Sequence, residues 1–117
     1  MQGWTFLLNG QPEAALSAYQ QALSRQPNSA KALLGMGMTF KAIGKMDEAK
    51  DALTQALQLN PQLPSALVHL GYLYLYADGP SGSSDPETAR RLFQEARQMG
   101  DPFAHIALLD LHARLTL

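Results

Sequence analysis

The sequence predicts an all-α chain, a solenoid of about three antiparallel helix hairpins closed by a C-terminal helix. Three observations carry this prediction. First, the chain repeats itself: Gly3, Gly37 and Gly71 lie 34 residues apart, and Ala15/Ala49, Ala22/Ala56 and Pro27/Pro61 keep the same spacing. A fixed period of that length marks stacked supersecondary units, each unable to bury its apolar face alone. Second, apolar residues recur at helical spacing, as in Leu33, Met36 and Phe40 (i, i+3, i+7) and again in Ala49, Leu53 and Ala56. Third, proline and capping residues punctuate the segments where helices would stop and start.

The elements follow in order. A short helix over 1–8 carries Gly3 and Phe6, and a second over 12–25 carries Ala15, Tyr19 and Ala22 before Pro27 ends it. Ser29 is a candidate N-cap for a helix over 30–43, which holds the Leu33–Met36–Phe40 stripe around Gly37. Asp47 is the candidate cap for 47–59, stopped by Pro61. The segment 65–77 brings Leu67, Leu70, Gly71 and Tyr74. Ser84 or Asp85, ahead of Pro86-Glu87, caps 86–99 with Ala89, Phe93 and Ala96. A last helix over 103–116 is expected to turn Ile106, Leu109 and Ala113 toward the preceding hairpin, with Asp110 and Arg114 in water. Side chains at Gly37 or Gly71 would push the two helices of a hairpin apart.

Leu33-x2-Met36-Gly37-x2-Phe40, followed by Ala49-x3-Leu53, Ala56 and Pro61, resembles the tetratricopeptide repeat, and the resemblance covers nearly the whole chain. It implies a right-handed superhelix of hairpins, with repeat one at 1–29 (truncated at its start), repeat two at 30–63, repeat three at 64–101 and a capping helix at 102–117. Repeat three is longer. From Gly71 to Ala89 is 18 residues against 12 between Gly37 and Ala49, while Ala96 to Ala104 is eight against ten between Ala56 and Ala66. The six inserted residues fall in an extended turn at 78–85. With Leu70-Gly71-x-Leu73-Tyr74, Gly79, Asp85, Ala89, Phe93, Ala96 and Gly100, the unit is similar to a Sel-one-like repeat.

Composition narrows the chemistry. Five basic and four acidic side chains in 1–60, and four and six in 61–117, leave no basic field for nucleic acid or anionic lipid. Cysteine is absent, which removes disulfides, thiolate metal sites and cysteine nucleophiles. The apolar run 66–77 is too short to span a bilayer and contains His69. The run Gly79-Pro80-Ser81-Gly82-Ser83-Ser84 lacks the preceding strand and following Lys of a phosphate loop, so it reads as a solvated turn. His105 and His112 are seven apart, too far for the i, i+4 pairing of common zinc helices. Glu87, Arg91 and Glu95 read as a salt-laced exposed face. No catalytic set, metal or cofactor is expected, and the compartment is left open between cytoplasm and periplasm.

The resemblance implies a concave surface lined by the first helix of each hairpin. Carried over by register, it would contain Trp4, Leu7 and Leu8 from repeat one, Lys31, Leu34, Met38 and Lys41 from repeat two, and Val68, Tyr72, Leu75 and Tyr76 from repeat three. Tyr74 belongs to the core stripe, which makes Tyr72 and Tyr76 the outward aromatics. Positions 31, 34, 38 and 41 share one helical face, opposite the core stripe. So apolar a surface is expected to hold an apolar or amphipathic peptide or helix of another protein, unless further chain or a second copy covers it. Self-association through this groove or the N-terminal edge is thus the alternative. Some relatives clamp a chaperone's C-terminal carboxylate with Asn and Lys; the clamp Asn positions here are Gly35 and His69. Arrays of these repeats are common in bacterial secretion, pilus assembly and envelope polysaccharide export, which is where the resemblance points.

Overall fold

The computed structural model of the chain describes residues 10–76 and 85–115. Among these, every regular element is a helix: α1 (Pro12–Arg25), α2 (Ala30–Ala42), α3 (Met46–Leu59), α4 (Pro64–Leu75), α5 (Pro86–Gln98) and α6 (Pro102–Leu115). The helix expected over 1–8 lies outside the described residues, as does the extended turn up to Ser84. The chain divides into two compact units, Met1–Pro61 and Gln62–Leu117.

Helix ends follow local chemistry. Ser29 caps α2, its side-chain oxygen accepting from the Ala32 N–H at 3.2 Å. Asp85 caps α5 by accepting from the Thr88 N–H at 3.1 Å, with Pro86 in the first turn where its missing N–H costs nothing. Asp47, expected to cap α3, does not. Lys45 occupies that position without a side-chain bond, and α3 begins at Met46, leaving Asp47 and Glu48 in the first turn. There the carboxylates still face the positive end of the helix dipole. Gly44 (φ +85°) and Gly100 (φ +89°) end α2 and α5 in left-handed turns. The second bonds of these turns, Lys45 N–H to Phe40 C=O at 2.8 Å and Asp101 N–H to Ala96 C=O at 3.2 Å, complete Schellman motifs.

In the first unit α2 packs on both α1 and α3. Ala15, Tyr19 and Ala32 form one buried cluster, against which Ala22, Leu23 and Met36 lean. Across α3, Ala49, Leu53 and Ala56 are fully buried. A methyl group on Gly37 would stand 2.6 Å from Leu53 Cγ, which is the close approach the sequence demanded there. A methyl on Gly35 would run into the Tyr19 ring, a second such contact that the repeat pattern did not single out.

In the second unit α4 packs on α5, and α6 on α5 with a smaller contact to α4. Gly71 faces Phe93, whose Cε1 would lie 2.5 Å from an added methyl. The Asp85 N–H donates to the Tyr74 carbonyl at 2.8 Å, so the residue that ends the long turn is tied back to the last turn of α4.

The orientation expected of the last helix is corrected. Ile106 and Leu109 point outward, each 58% exposed, with Phe103 at 69% and Ala113 also exposed; Ala104, Ala107 and Leu111 are the buried stripe. The physical reason is steric: two alanines at i, i+3 let α6 approach α5 closely, which at 100° per residue leaves Ile106 and Leu109 on the far side of the helix. Asp110 is only half exposed and accepts a hydrogen bond, described below.

Candidate functional site

The candidate residues fall in three groups. Trp4, Leu7 and Leu8 lie outside the described residues. Lys31, Leu34, Met38 and Lys41 all belong to α2, where their spacing places them on one face of the helix. Lys31 is exposed, whereas Leu34, Met38 and Lys41 are half-buried. Burial lowers the Lys41 ammonium below its ordinary value of 10.5, because desolvation disfavours the charged form.

The second unit holds Val68, Tyr72, Leu75 and Tyr76 on or at the end of α4. Val68 is not a surface residue. It is 7% exposed and belongs to the core with its neighbour Leu67, because α4 is apolar over most of its circumference and buries six of its twelve residues. Tyr72 is only in part an outward aromatic. It is half-buried, its ring tilted at 60° against the core ring of Phe93 with centroids 5.1 Å apart. Its other side stacks on Tyr76, centroids 5.9 Å apart and planes within 12°, as the i, i+4 spacing allows. Tyr76, at the C-cap, is the exposed member at 42%, and its hydroxyl donates to Asp110 Oδ2 at 3.3 Å. Leu75 is half-buried. The pair is therefore a ledge, one ring anchored in the core and one offered to solvent.

The stripe read as core on α2 also behaves unevenly. Leu33 is buried, but Met36 and Phe40 are only half-buried and face an open cleft of about 280 Å³. Leu23 of α1 and Glu48 and Asp51 of α3 also line it. Sequence reasoning missed this feature, although the polar positions Glu48, Asp51 and Gln55 on α3 share a face and signalled that it meets water. The expected salt-laced face of α5 is present with one altered partner: Arg91 Nε approaches Glu95 at 4.0 Å as expected, whereas Glu87 meets Arg90 Nη1 at 3.3 Å instead of Arg91. His105 and His112 are both exposed on α6, and His69 is half-buried on α4. Among the described residues no helix is long and apolar enough to cross a membrane.

Antiparallel hairpins held together at glycines, repeated along the chain, define a helical-repeat protein. Its sequence from residue 6 to 69, more than half of the chain, matches the family model described as tetratricopeptide repeat. The chain belongs to the tetratricopeptide repeat family. Similar solved structures share the fold at low identity. The first TPR of Spaghetti (RPAP3) bound to the HSP90 peptide SRMEEVD superposes with a TM-score of 0.85 at 14% identity, covering 99% of this chain and 89% of that one. The Sgt2 TPR domain from Aspergillus fumigatus gives 0.83 at 17% identity, covering 98% and 75%. The second TPR domain of human RPAP3, in complex with the HSP70 peptide SGPTIEEVD, gives 0.80 at 20%, covering 95% and 89%. No curated protein matches the sequence.

Proposed function

We propose that this chain is a non-catalytic interaction module that holds an apolar or amphipathic peptide or helix of another protein against the exposed face of α2. The observation that carries the reading is the pattern on that face. Leu34 and Met38 stay partly exposed, although the opposite side of the same helix packs on α1 and α3, and Lys31 and Lys41 stand at either end. Partly exposed apolar side chains between charges suit a ligand with spaced apolar anchors. The likeness to peptide-bound repeat domains supports the reading at the level of fold. In the second unit, Leu75 and the Tyr72–Tyr76 ledge offer a comparable apolar contact.

A chaperone-tail carboxylate is not the ligand proposed. One clamp position is Gly35, and the Tyr19 ring occupies the space that an Asn side chain there would need. The remaining finer readings rest on the family resemblance. They are an adaptor's place in a bacterial secretion, pilus or envelope assembly, and a Sel-one-like third repeat, which the insertion between Gly71 and Ala89 supports.

The test is capture from native lysate by the wild-type chain and by a Leu34→Ser/Met38→Ser variant, with crosslinks mapped to α2. Loss of capture at unchanged helicity is expected; undiminished capture overturns the reading. Sedimentation of the same two proteins addresses self-association through this face. A wild-type oligomer that the variant dissolves would replace the proposal with an assembly role.

A further inference from the structure

We propose that the cleft on the other side of α2 is a second, separate binding site, which takes a cationic amphipathic helix of another protein. The site does not depend on the Leu34–Met38 face. Leu33, Met36 and Phe40 repeat at i, i+3, i+7 and lie roughly 150° round α2 from Leu34 and Met38 at 100° per residue. The cleft exists because α1 and α3 each pack on α2 but barely meet one another. Leu23 on α1 and Ala52 on α3 complete the apolar lining.

Its size and charge choose the occupant. At about 280 Å³ it falls just short of the roughly 300–1,000 Å³ of pockets that enclose a small-molecule ligand, and it is open along one side. It suits one or two large apolar side chains projecting from a partner. Its α3 rim carries two exposed carboxylates, Glu48 and Asp51, spaced i, i+3 and directed along one wall. Among the described residues neither has a hydrogen bond or an ion pair, and no Lys or Arg lines the cleft. A segment that seats a Leu, Met or Phe on Met36 and Phe40 while placing two Lys or Arg one helical turn away would neutralise both carboxylates. Such a rim attracts a basic segment and repels an acidic one, so it sets partner choice more than affinity.

The test uses the full chain, isotope-labelled, and a helical peptide of about eighteen residues with one Leu face flanked by Lys. Two comparison peptides carry Glu for Lys and Ser for Leu. The expected result is amide shifts at Met36, Phe40 and Gln55, with a Kd that weakens as salt rises from about 50 to about 300 mM. Neither comparison peptide should bind. A Glu48→Lys/Asp51→Lys chain should bind about tenfold or more weakly, and the isosteric Glu48→Gln/Asp51→Asn chain several-fold more weakly. The Leu34→Ser/Met38→Ser chain should bind unchanged, which keeps this site's failure distinct from failure of the α2 face. Equal binding of the Glu peptide, an unchanged Kd in both rim variants, shifts confined to the Lys31–Lys41 face, or no binding at all would each overturn the proposal. So would a wild-type oligomer dissolved by the rim substitutions, since a second copy would then be the occupant.

Discussion

The Tyr19 ring lies across Gly35, filling the space where any other residue would carry its side chain. The ring is the largest fully buried side chain of the first unit, and its hydroxyl is buried with no hydrogen-bond partner among the described residues. Gly35→Ala is expected to destabilise the chain by about 1–3 kcal/mol through overpacking. In a Tyr19→Leu background the same change should cost less, and urea midpoints of the four proteins measure that coupling. Tyr19→Phe removes an unpaired buried hydroxyl and should leave stability equal or raised by up to about 1 kcal/mol.

The two stacked tyrosines should separate stability from binding. Tyr72 leans on Phe93, so Tyr72→Ala is expected to cost about 1–3 kcal/mol, below the 3–5 kcal/mol of a fully buried aromatic. Tyr76→Ala removes a stacked but exposed ring and should stay within about 1 kcal/mol. Thermal melts check both. Loss of a ligand on Tyr76→Ala at an unchanged melting temperature would assign the ledge a direct contact.

The two polar caps predict different behaviour. Ser29→Ala should cost about 1 kcal/mol by orphaning the Ala32 N–H. At Asp85 the Thr88 hydroxyl, followed by the Thr88 N–H, holds the carboxylate below its ordinary 3.8. A carboxyl depressed in the folded state adds stability above its ordinary value and loses it as pH falls through the lowered one. Acid titration of the melting temperature should therefore decline more steeply below about pH 4 in wild type than in Asp85→Ala.

Lys41 titrates in the opposite sense to a salt-bridged lysine. Its folded value lies below 10.5 through burial, so the unfolded chain holds the proton more tightly in the interval between the two. The half-buried charge opposes folding at neutral pH, and stability should rise as pH climbs through the folded value toward 10.5. Urea midpoints measured across that range should rise in wild type and rise less in Lys41→Met.

Much of the fold is legible in the sequence because period and punctuation act locally. Pro27 and Pro61 lie two residues beyond α1 and α3, and Gly37 and Gly71 fix helix contacts that no larger residue permits. Faces are harder, because a helix with apolar residues nearly all round has no single inward direction. That is why Val68 proves to be core, why Tyr72 is shared between core and surface, and why Ile106 and Leu109 face outward from α6. The cleft over Met36 and Phe40 depends on how far apart α1 and α3 stand, a distance no spacing within one segment records.

The buried stripe of α6 has a dynamic consequence. Its buried stripe is two alanines and one leucine, so closing this helix on α5 removes little apolar surface from water, while Phe103, Ile106 and Leu109 gain nothing from it. A helix fastened so lightly should open on its own, well below the free energy of global unfolding. Amide hydrogen exchange should find α6 the least protected helix of the second unit, exchanging through local opening, with α4 and α5 exchanging far more slowly. Equal protection across α4, α5 and α6 would mean that close backbone approach at Ala104 and Ala107 holds the helix as firmly as large side chains hold the others.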